Sequence, residues 1–241
     1  MICITGDTHG EQVMWALNID PFLKQDDTII VGGDFGKGFY DGPFWPEEMF
    51  YDHLEEQGYT VLFCDGNHDD IEALNRIETS EWNGGRVHFI RSNVIHLMRG
   101  EIYTIDGFKL FVMGGGYSLD KDRRVPGESW WPGEMPNEAE YRNATGNLEN
   151  CNYKVDYILT HTAPIDTINQ MKELELPMKR AAAEELPLNE YLQGIAKATN
   201  YSYSKWYFGH FHVDAELENN QFALKNAIRE LHSGKVVKMR E

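Results

Sequence analysis

Five short apolar runs in this chain are each followed by polar residues of the kinds that bind metal ions. The runs are rich in β-branched and aromatic residues, as buried strands are, and they cover residues 2–5, 28–31, 60–63, 157–159 and 205–208. The polar residues that follow them are Asp7, His9, Asp34, Asn67, His68, His161, His210 and His212. In α/β sheets the carboxyl ends of neighbouring strands share one crevice, where ligands bind. The sequence therefore predicts that these separate blocks converge on one site.

The donor atoms in these blocks suit borderline and hard divalent cations. Imidazole nitrogens and carboxylate or amide oxygens bind ions such as Mn, Fe, Zn or Ni, whereas thiolates would indicate softer metals. The three cysteines, Cys3, Cys64 and Cys151, lack the spacing of a metal site, and we expect them to pack in the interior. The sequence therefore indicates a site for divalent metals without sulfur ligands.

In this order the blocks resemble the motifs of the calcineurin-like metallophosphoesterase superfamily. The family pattern is Asp-x-His, Gly-Asp, Gly-Asn-His-Asp/Glu, His and Gly-His-x-His, and all five elements are present. The resemblance implies that one metal binds Asp7, His9, Asp34 and His212. It implies that a second metal binds Asp34 as a bridge together with Asn67, His161 and His210. It also implies a four-layer αββα sandwich, in which two central mixed β-sheets are flanked by helices.

The chemistry expected of such a site is hydrolysis of a phosphate ester. Two cations about 3.5–4 Å apart hold the ester oxygens and lower the pKa of a bridging water, which gives a hydroxide nucleophile at neutral pH. The departing alkoxide needs a proton, and a histidine with a pKa near ~6.5 can supply it. His68 is left without a metal in the family scheme, so we expect it to be the general acid.

Length and composition predict a single domain over residues 1–241, with a loop insertion at about 114–150. A chain of 241 residues with 41% hydrophobic content can bury a sizeable core. The start of the chain has no basic segment, long apolar run or cleavage site, and we therefore expect a cytoplasmic protein. No apolar run reaches the length of a membrane-spanning helix.

The formal net charge of −17 disfavours binding to extended nucleic acid or to an anionic membrane, because both need a basic surface. A small phosphorylated substrate remains compatible, since two divalent cations outweigh the carboxylates of Asp7 and Asp34. The acidic pairs Glu47–Glu48 and Glu184–Glu185 are predicted to be solvated on helix faces. The sequence sets no oligomeric state.

Between the blocks, periodicity and capping signals predict further elements. Helices are expected over residues 47–57, 70–78, 164–173 and 181–198, the last interrupted near Pro187. Strands are expected over 86–90, 94–98, 101–105 and 108–113, with a hairpin turn at Asp106-Gly107. Two more short strands are expected within 218–237. The remaining histidines are predicted to lie outside the site: His53, His88, His96 and His232.

Two loops are specific to this chain. One covers residues 35–46 and contains Lys37. The other, at 114–150, lacks regular periodicity and contains Arg123, Arg124, Trp130 and Trp131. One interpretation is a substrate lid in which Arg123 or Arg124 grips phosphate and a Trp stacks on a ring. The alternative is a surface loop pinned by packing of the Trp side chains, and the sequence leaves both open.

Sequence differences from members of the superfamily narrow the class of substrate. Phosphoprotein phosphatases of the superfamily carry Arg where Asp65 stands and an Asp-Arg pair where Phe35–Gly38 stands. Without those two arginines, the chain is more similar to bacterial and phage-type phosphodiesterases. A phosphomonoesterase and a phosphoprotein phosphatase stay as alternatives, and RNA lariat debranching enzymes are disfavoured by charge. A non-catalytic scaffold, as in the retromer subunit, is disfavoured because His68 and every ligand position are retained.

Overall fold

Two mixed β-sheets dominate the fold. The computed structural model describes residues 1–38 and 47–240. Strands within these ranges are numbered along the chain: β1 (Ile2–Thr5), β2 (Thr28–Val31), β3 (Thr60–Phe63), β4 (Thr79–Trp82), β5 (Gly85–Arg91), β6 (Val94–Leu97), β7 (Ile102–Ile105), β8 (Phe108–Met113), β9 (Tyr157–Thr160), β10 (Lys205–Phe208), β11 (Ala215–Leu217), β12 (Gln221–Ala223), β13 (Ala227–Glu230) and β14 (Val236–Met239). In the described residues one sheet has the order β14-β13-β1-β2-β3-β6-β5-β4, and the other has the order β11-β12-β10-β9-β8-β7.

Helices lie on the outer faces of both sheets. The α-helices of the described ranges are α1 (Gln12–Met14), α2 (Glu47–Gln57), α3 (Ile71–Leu74), α4 (Glu138–Asn150), α5 (Ile165–Glu173) and α6 (Leu186–Ala198). A π-helical turn (Trp15–Ile19) continues α1, and short 3₁₀ turns cover Lys121–Arg123, Pro132–Glu134, Ala183–Glu185 and Glu218–Asn220. No helix in the described part of the chain is both long and apolar enough to cross a membrane.

Side chains along each parallel strand point alternately to the two faces of its sheet, and they form three separate apolar clusters. In β2, Ile29 packs on the outer face of the sheet, in the same cluster as residues of α2 and α3. Its neighbour Ile30 packs between the two sheets. In β9, Ile158 packs outward against α4, α5 and α6. A register slip of one residue would move each of these side chains to the wrong layer, so the burial pattern fixes the register. The predicted αββα sandwich is confirmed.

The five strands that precede the polar blocks are confirmed, and their parallel pairing explains why the blocks meet. β1, β2 and β3 run parallel to one another in the first sheet, and β9 and β10 run parallel in the second. Their carboxyl ends therefore lie at the same end of the sandwich. The Asp106-Gly107 hairpin is also confirmed, because β7 and β8 pair antiparallel and both turn residues have positive φ.

Several element boundaries were predicted wrongly. The helix expected over 70–78 ends at Leu74, and the unpredicted strand β4 follows it and pairs with β5. Pro187 lies in the first turn of α6 and does not interrupt it, since proline is tolerated there. The C-terminal segment forms three strands, β12, β13 and β14, where two were expected.

The predicted insertion is less irregular than expected. Its second half forms α4, which begins with a capping box in which Asn137 and Glu140 satisfy each other's backbone N–H groups. The helix at 12–19 was also unpredicted. Of the predicted loop at 35–46, residues 39–46 lie outside the described residues.

Candidate metal centre

Four of the predicted metal ligands have an unusual backbone conformation. The φ angles of His9, Asp34, His210 and His212 are 48°, 48°, 63° and 52°. Residues other than glycine adopt this left-handed region at a cost, and such residues cluster at functional sites where the surroundings enforce them. Here each residue follows the end of a parallel strand, and the turn aims its side chain across the crevice.

One group of ligand atoms lies at the more open side of the crevice. His212 Nε2 is 3.2 Å from Asp7 Oδ2, and His9 Nε2 is 3.2 Å from His212 Nε2. His9 Nε2 is also 3.8 Å from Asp7 Oδ2. All three atoms are close enough together to share one metal ion.

A second, buried group faces it. Asn67 Oδ1 is 3.1 Å from His161 Nε2 and 3.0 Å from His210 Nδ1. The orientation of two of these side chains is fixed from behind. His161 Nδ1 is 2.9 Å from the carbonyl oxygen of Gly32, and Asn67 Nδ2 donates to Ser118 Oγ at 2.9 Å. The remaining nitrogen of His161 and the amide oxygen of Asn67 therefore point toward the same place.

Asp34 lies between the two groups. Its Oδ1 is 3.6 Å from His161 Nε2, and its Oδ2 is 3.8 Å from His9 Nδ1. Asp34 Oδ2 is buried and accepts no hydrogen bond. A buried carboxylate oxygen without a partner is costly unless a cation balances it. The donor set around Asp34 therefore fits divalent cations, which Asp34 and the residues of both groups would hold.

Both carboxylates are held in the ionised form that a metal requires. Burial by itself raises the pKa of Asp7, but the hydrogen bond from His212 and the charge of His161 bring it down to about 2. For Asp34, burial likewise raises the pKa, and the neighbouring histidines lower it well below its usual range.

A comparison with known families shows which family the chain belongs to. The calcineurin-like phosphoesterase family matches residues 1–224, which is nearly the whole chain. The chain belongs to this family. Its members hydrolyse phosphoric esters with a dinuclear centre of divalent metals, so this chain is a metal-dependent phosphoester hydrolase. A comparison with curated proteins found no match.

In this phosphoesterase, His68 borders the site without joining either group of ligand atoms. Its ring centroid is 5.6 Å from that of His9. Its backbone N–H donates to Asp34 Oδ1 at 2.9 Å, and its carbonyl oxygen accepts from Trp131 Nε1 at 3.1 Å. Burial lowers the pKa of His68 to about 4, although the charge of Asp34 opposes that shift. The imidazole is therefore neutral at pH 7 in the substrate-free enzyme.

Asp69 is a structural residue of the phosphoesterase site to which the sequence assigned no role. Its Oδ1 accepts the backbone N–H groups of Gly36 and Lys37 at 2.7 and 2.9 Å. Its Oδ2 accepts that of Gly66 at 2.8 Å. One carboxylate thus joins the loop after Asp34 to the Gly-Asn-His-Asp loop. The sequence signal for this role was the presence of an acidic residue at the end of the Gly-Asn-His-Asp motif.

The prediction for Glu185 was wrong. Glu184 is exposed as expected, but Glu185 is 0% exposed. Its Oε1 is 3.1 Å from His210 Nε2. A buried carboxylate is tolerated there because hydrogen-bond donors surround it, and nothing in the local sequence distinguishes it from its neighbour.

The insertion brings one of its predicted substrate contacts near the site. Arg124 binds Asp120 Oδ2 through Nε at 2.8 Å, and its charge contributes to the low pKa of His68. Arg123 is exposed. Trp131 is only 7% exposed and packs in the apolar cluster that contains Phe35. Trp131 is therefore a packing residue, which corrects the prediction that it could stack on substrate.

Proposed function

We propose that this phosphoesterase is a phosphodiesterase that acts on a small or nucleotide-type substrate. The observation that carries the proposal is the arrangement of two ligand groups around Asp34, with His68 beside them and outside both. The proposed ligands are those named from the sequence: Asp7, His9, Asp34, Asn67, His161, His210 and His212. The native metal is proposed to be Mn, Fe, Zn or Ni.

Two bound divalent cations would neutralise the ester oxygens and lower the pKa of a water molecule between them. The role of His68 is to donate a proton to the departing oxygen. A phosphate anion beside its imidazole favours the protonated form, which opposes the lowering of the His68 pKa by burial. Asp34 and Trp131 hold the His68 backbone in place while the proton moves.

A diester is favoured over a monoester because the two arginines with which phosphoprotein phosphatases grip phosphate are replaced at the matching positions of this chain. Asp65 stands where the phosphoprotein phosphatases carry Arg, and its Oδ2 is occupied by Arg99 Nη2 at 2.6 Å. A monoester dianion would need more positive charge than a diester monoanion. The acidic net charge of −17 supports a small substrate rather than extended nucleic acid.

A cytoplasmic location is proposed because the cysteines form no disulfide bonds. Cys3, Cys64 and Cys151 are free thiols, and the first two are fully buried in apolar clusters. Reduced cysteines in such positions are typical of a reducing compartment.

The test is a substrate and metal panel. Bis-p-nitrophenyl phosphate, p-nitrophenyl phosphate and a set of cyclic and linear nucleotides are assayed with Mn, Ni, Zn and Mg. We expect metal-dependent hydrolysis with a higher kcat/KM for the diester, and loss of activity in Asp34→Asn. A higher kcat/KM for the monoester would make the enzyme a phosphomonoesterase and overturn the proposal.

A further inference from the structure

We propose that Glu185 is a positioning residue for the second metal, the one assigned to Asn67, His161 and His210. The inference rests on the proposed function, because it concerns the same site. Glu185 ends the 3₁₀ turn that leads into α6, and it is fully buried. It belongs to none of the motifs that indicated the metal ligands.

The contact with His210 fixes which imidazole nitrogen can bind a metal. Glu185 Oε1 lies 3.1 Å from His210 Nε2, on the side of the ring opposite to Nδ1. Nδ1 lies 3.0 Å from Asn67 Oδ1, inside the buried ligand group. When the N–H at Nε2 donates a hydrogen bond to the carboxylate, Nδ1 carries no proton and its lone pair can bind a cation. A carboxylate behind a metal-binding histidine fixes its tautomer and ring orientation and increases its basicity.

The same carboxylate also holds the loop that carries His161. Glu185 Oε2 accepts a hydrogen bond from Thr162 Oγ1 at 2.9 Å, and Thr162 follows His161 directly. Asn189, one turn later in α6, donates to the carbonyl oxygen of Ala163 at 3.0 Å. The start of α6 therefore fixes both the His161 loop and the His210 ring.

A third contact reaches the turn behind Asn67. Glu185 Oε1 accepts the backbone N–H of Tyr117 at 2.9 Å, and Ser118, the next residue, accepts from Asn67 Nδ2. A Cβ at Gly116 would lie 3.1 Å from His161 Cδ2 and 3.3 Å from both Asn67 Oδ1 and Glu185 Oε1. The turn thus packs directly on the buried ligand group. Glu185 is the side chain that links all three of its ligands.

The experiment measures metal binding in Glu185→Ala and Glu185→Gln without relying on catalysis. The metal-free full-length protein is titrated with Mn²⁺ by calorimetry, and bound ions are counted by elemental analysis. We expect Glu185→Ala to weaken the binding of one of the two ions by about 10–100-fold, the range for losing such a partner. The other ion should keep its affinity, because the hydrogen bonds of Glu185 lead to the buried group. Glu185→Gln keeps the shape of the side chain without its charge. Its affinity for this ion should lie between the affinities of Glu185→Ala and of the parent.

Two matched controls separate positioning from general stability. Glu184→Gln changes the exposed neighbour. Gln193→Ala removes a buried side chain of α6 that accepts a hydrogen bond from the N–H of Asp166 and donates one to the hydroxyl of Tyr201. Both should bind two ions with parent affinity. If thermal melting shows that Glu185→Ala does not fold, Glu185→Gln decides the question.

The outcomes distinguish this inference from the proposed function. Parent affinity for both ions in the folded Glu185 variants would overturn the inference alone, as would an equal loss in Gln193→Ala. Failure of the parent protein itself to bind two ions would overturn the proposed dinuclear function, and the inference with it.

Discussion

The position of His68, the proposed general acid, is fixed through its backbone. Both of its peptide groups are hydrogen-bonded, to the carboxylate of Asp34 on one side and to the indole of Trp131 on the other. The side chain is buried, and burial lowers its pKa to about 4. Burial therefore favours the neutral imidazole, and the proposed proton donation needs a bound anion that favours the protonated form.

Replacing His68 by Ala should lower kcat by about 10²–10⁴, the range for losing a general acid. The loss should be smaller on bis-p-nitrophenyl phosphate than on a nucleotide diester, because p-nitrophenolate leaves without needing a proton. Metal content should stay at the parent value. Activity and elemental analysis of the purified variant measure both effects.

His53→Ala is the matched control, since His53 lies on α2 and binds Asp20 Oδ2 at 2.8 Å. It should leave kcat unchanged. An equal loss on good and poor leaving groups in His68→Ala, or loss of the metals, would assign His68 a role other than proton donation.

At the scale of elements, the segment 114–150, predicted as an insertion, is folded and contacts a proposed metal ligand. Trp131 fixes its middle in the apolar cluster on the outer face of the first sheet, and α4 closes its second half. Its first turn supplies Ser118, which orients Asn67. Packing of Trp131 thus pins the segment, as the second interpretation expected. The role of the segment as a substrate lid stays a prediction.

The insertion should determine substrate preference. Replacing Arg123 and Arg124 together by Ala should raise KM for the best nucleotide substrate at least several-fold, because a guanidinium binds phosphate in a forked geometry. KM and kcat for bis-p-nitrophenyl phosphate should stay near the parent values. Steady-state kinetics on both substrates measure the difference.

Arg142→Ala removes an exposed arginine of the same insertion, on α4, and serves as the control. It should change neither KM. If the double variant loses as much on the synthetic diester as on the nucleotide, the arginines maintain the structure of the insertion and do not bind substrate.

Sequence reasoning succeeded where local pattern and global contacts agree. The central strands were predicted correctly because each is a continuous buried run that ends in a distinctive polar block. The assignment of the seven residues in those blocks as metal ligands stays a prediction. The edge strand β4 was missed, since its side chains alternate between half-buried and exposed and it depends on pairing with β5. Glu185 was missed because its burial depends on His210, a partner 25 residues away in sequence that only the folded chain brings near.

At the scale of the whole molecule, Arg99 connects the first sheet with helix α4, which lies on the second sheet. It lies in the segment that leaves the first sheet after β6 and enters the second at β7. Arg99 Nη2 donates to Asp65 Oδ2 at 2.6 Å, and Arg99 Nη1 donates to Glu140 Oε2 of α4 at 3.1 Å. His96 Nε2 lies 3.2 Å from Asp65 Oδ1. This buried network holds the loop before Asn67 against the crossing between the sheets.

Asp65→Asn should destabilise the protein by about 3–5 kcal/mol at pH 7, because it removes the nearer and fully buried charge partner of the Arg99 guanidinium. Burial raises the pKa of Asp65, but Arg99 and His96 lower it well below its usual range. The folded-state pKa is thus below the unfolded value of about 3.9. The stabilisation is present above that pH and is lost as the pH falls toward the folded-state pKa.

Urea unfolding at pH 7 and at lower pH values down to about 3 measures this effect. The parent should lose more stability on acidification than Asp65→Asn. Asp52→Asn, which removes an exposed partner of Arg91, should cost less than about 1 kcal/mol. Parallel acid profiles for the parent and Asp65→Asn would contradict the assignment.

The distance along the chain between metal ligands has a consequence for how the enzyme acquires its ions. Asp7 Oδ1 accepts the backbone N–H of His210 across 203 residues. Contacts of such long range form only when distant parts of the chain have come together, which makes folding slow. The nascent chain therefore offers no complete coordination sphere, and the finished fold selects its ions from those free in its surroundings. Because affinity alone ranks copper and zinc above manganese and iron, metal supply at the moment of maturation becomes a determinant of catalytic identity.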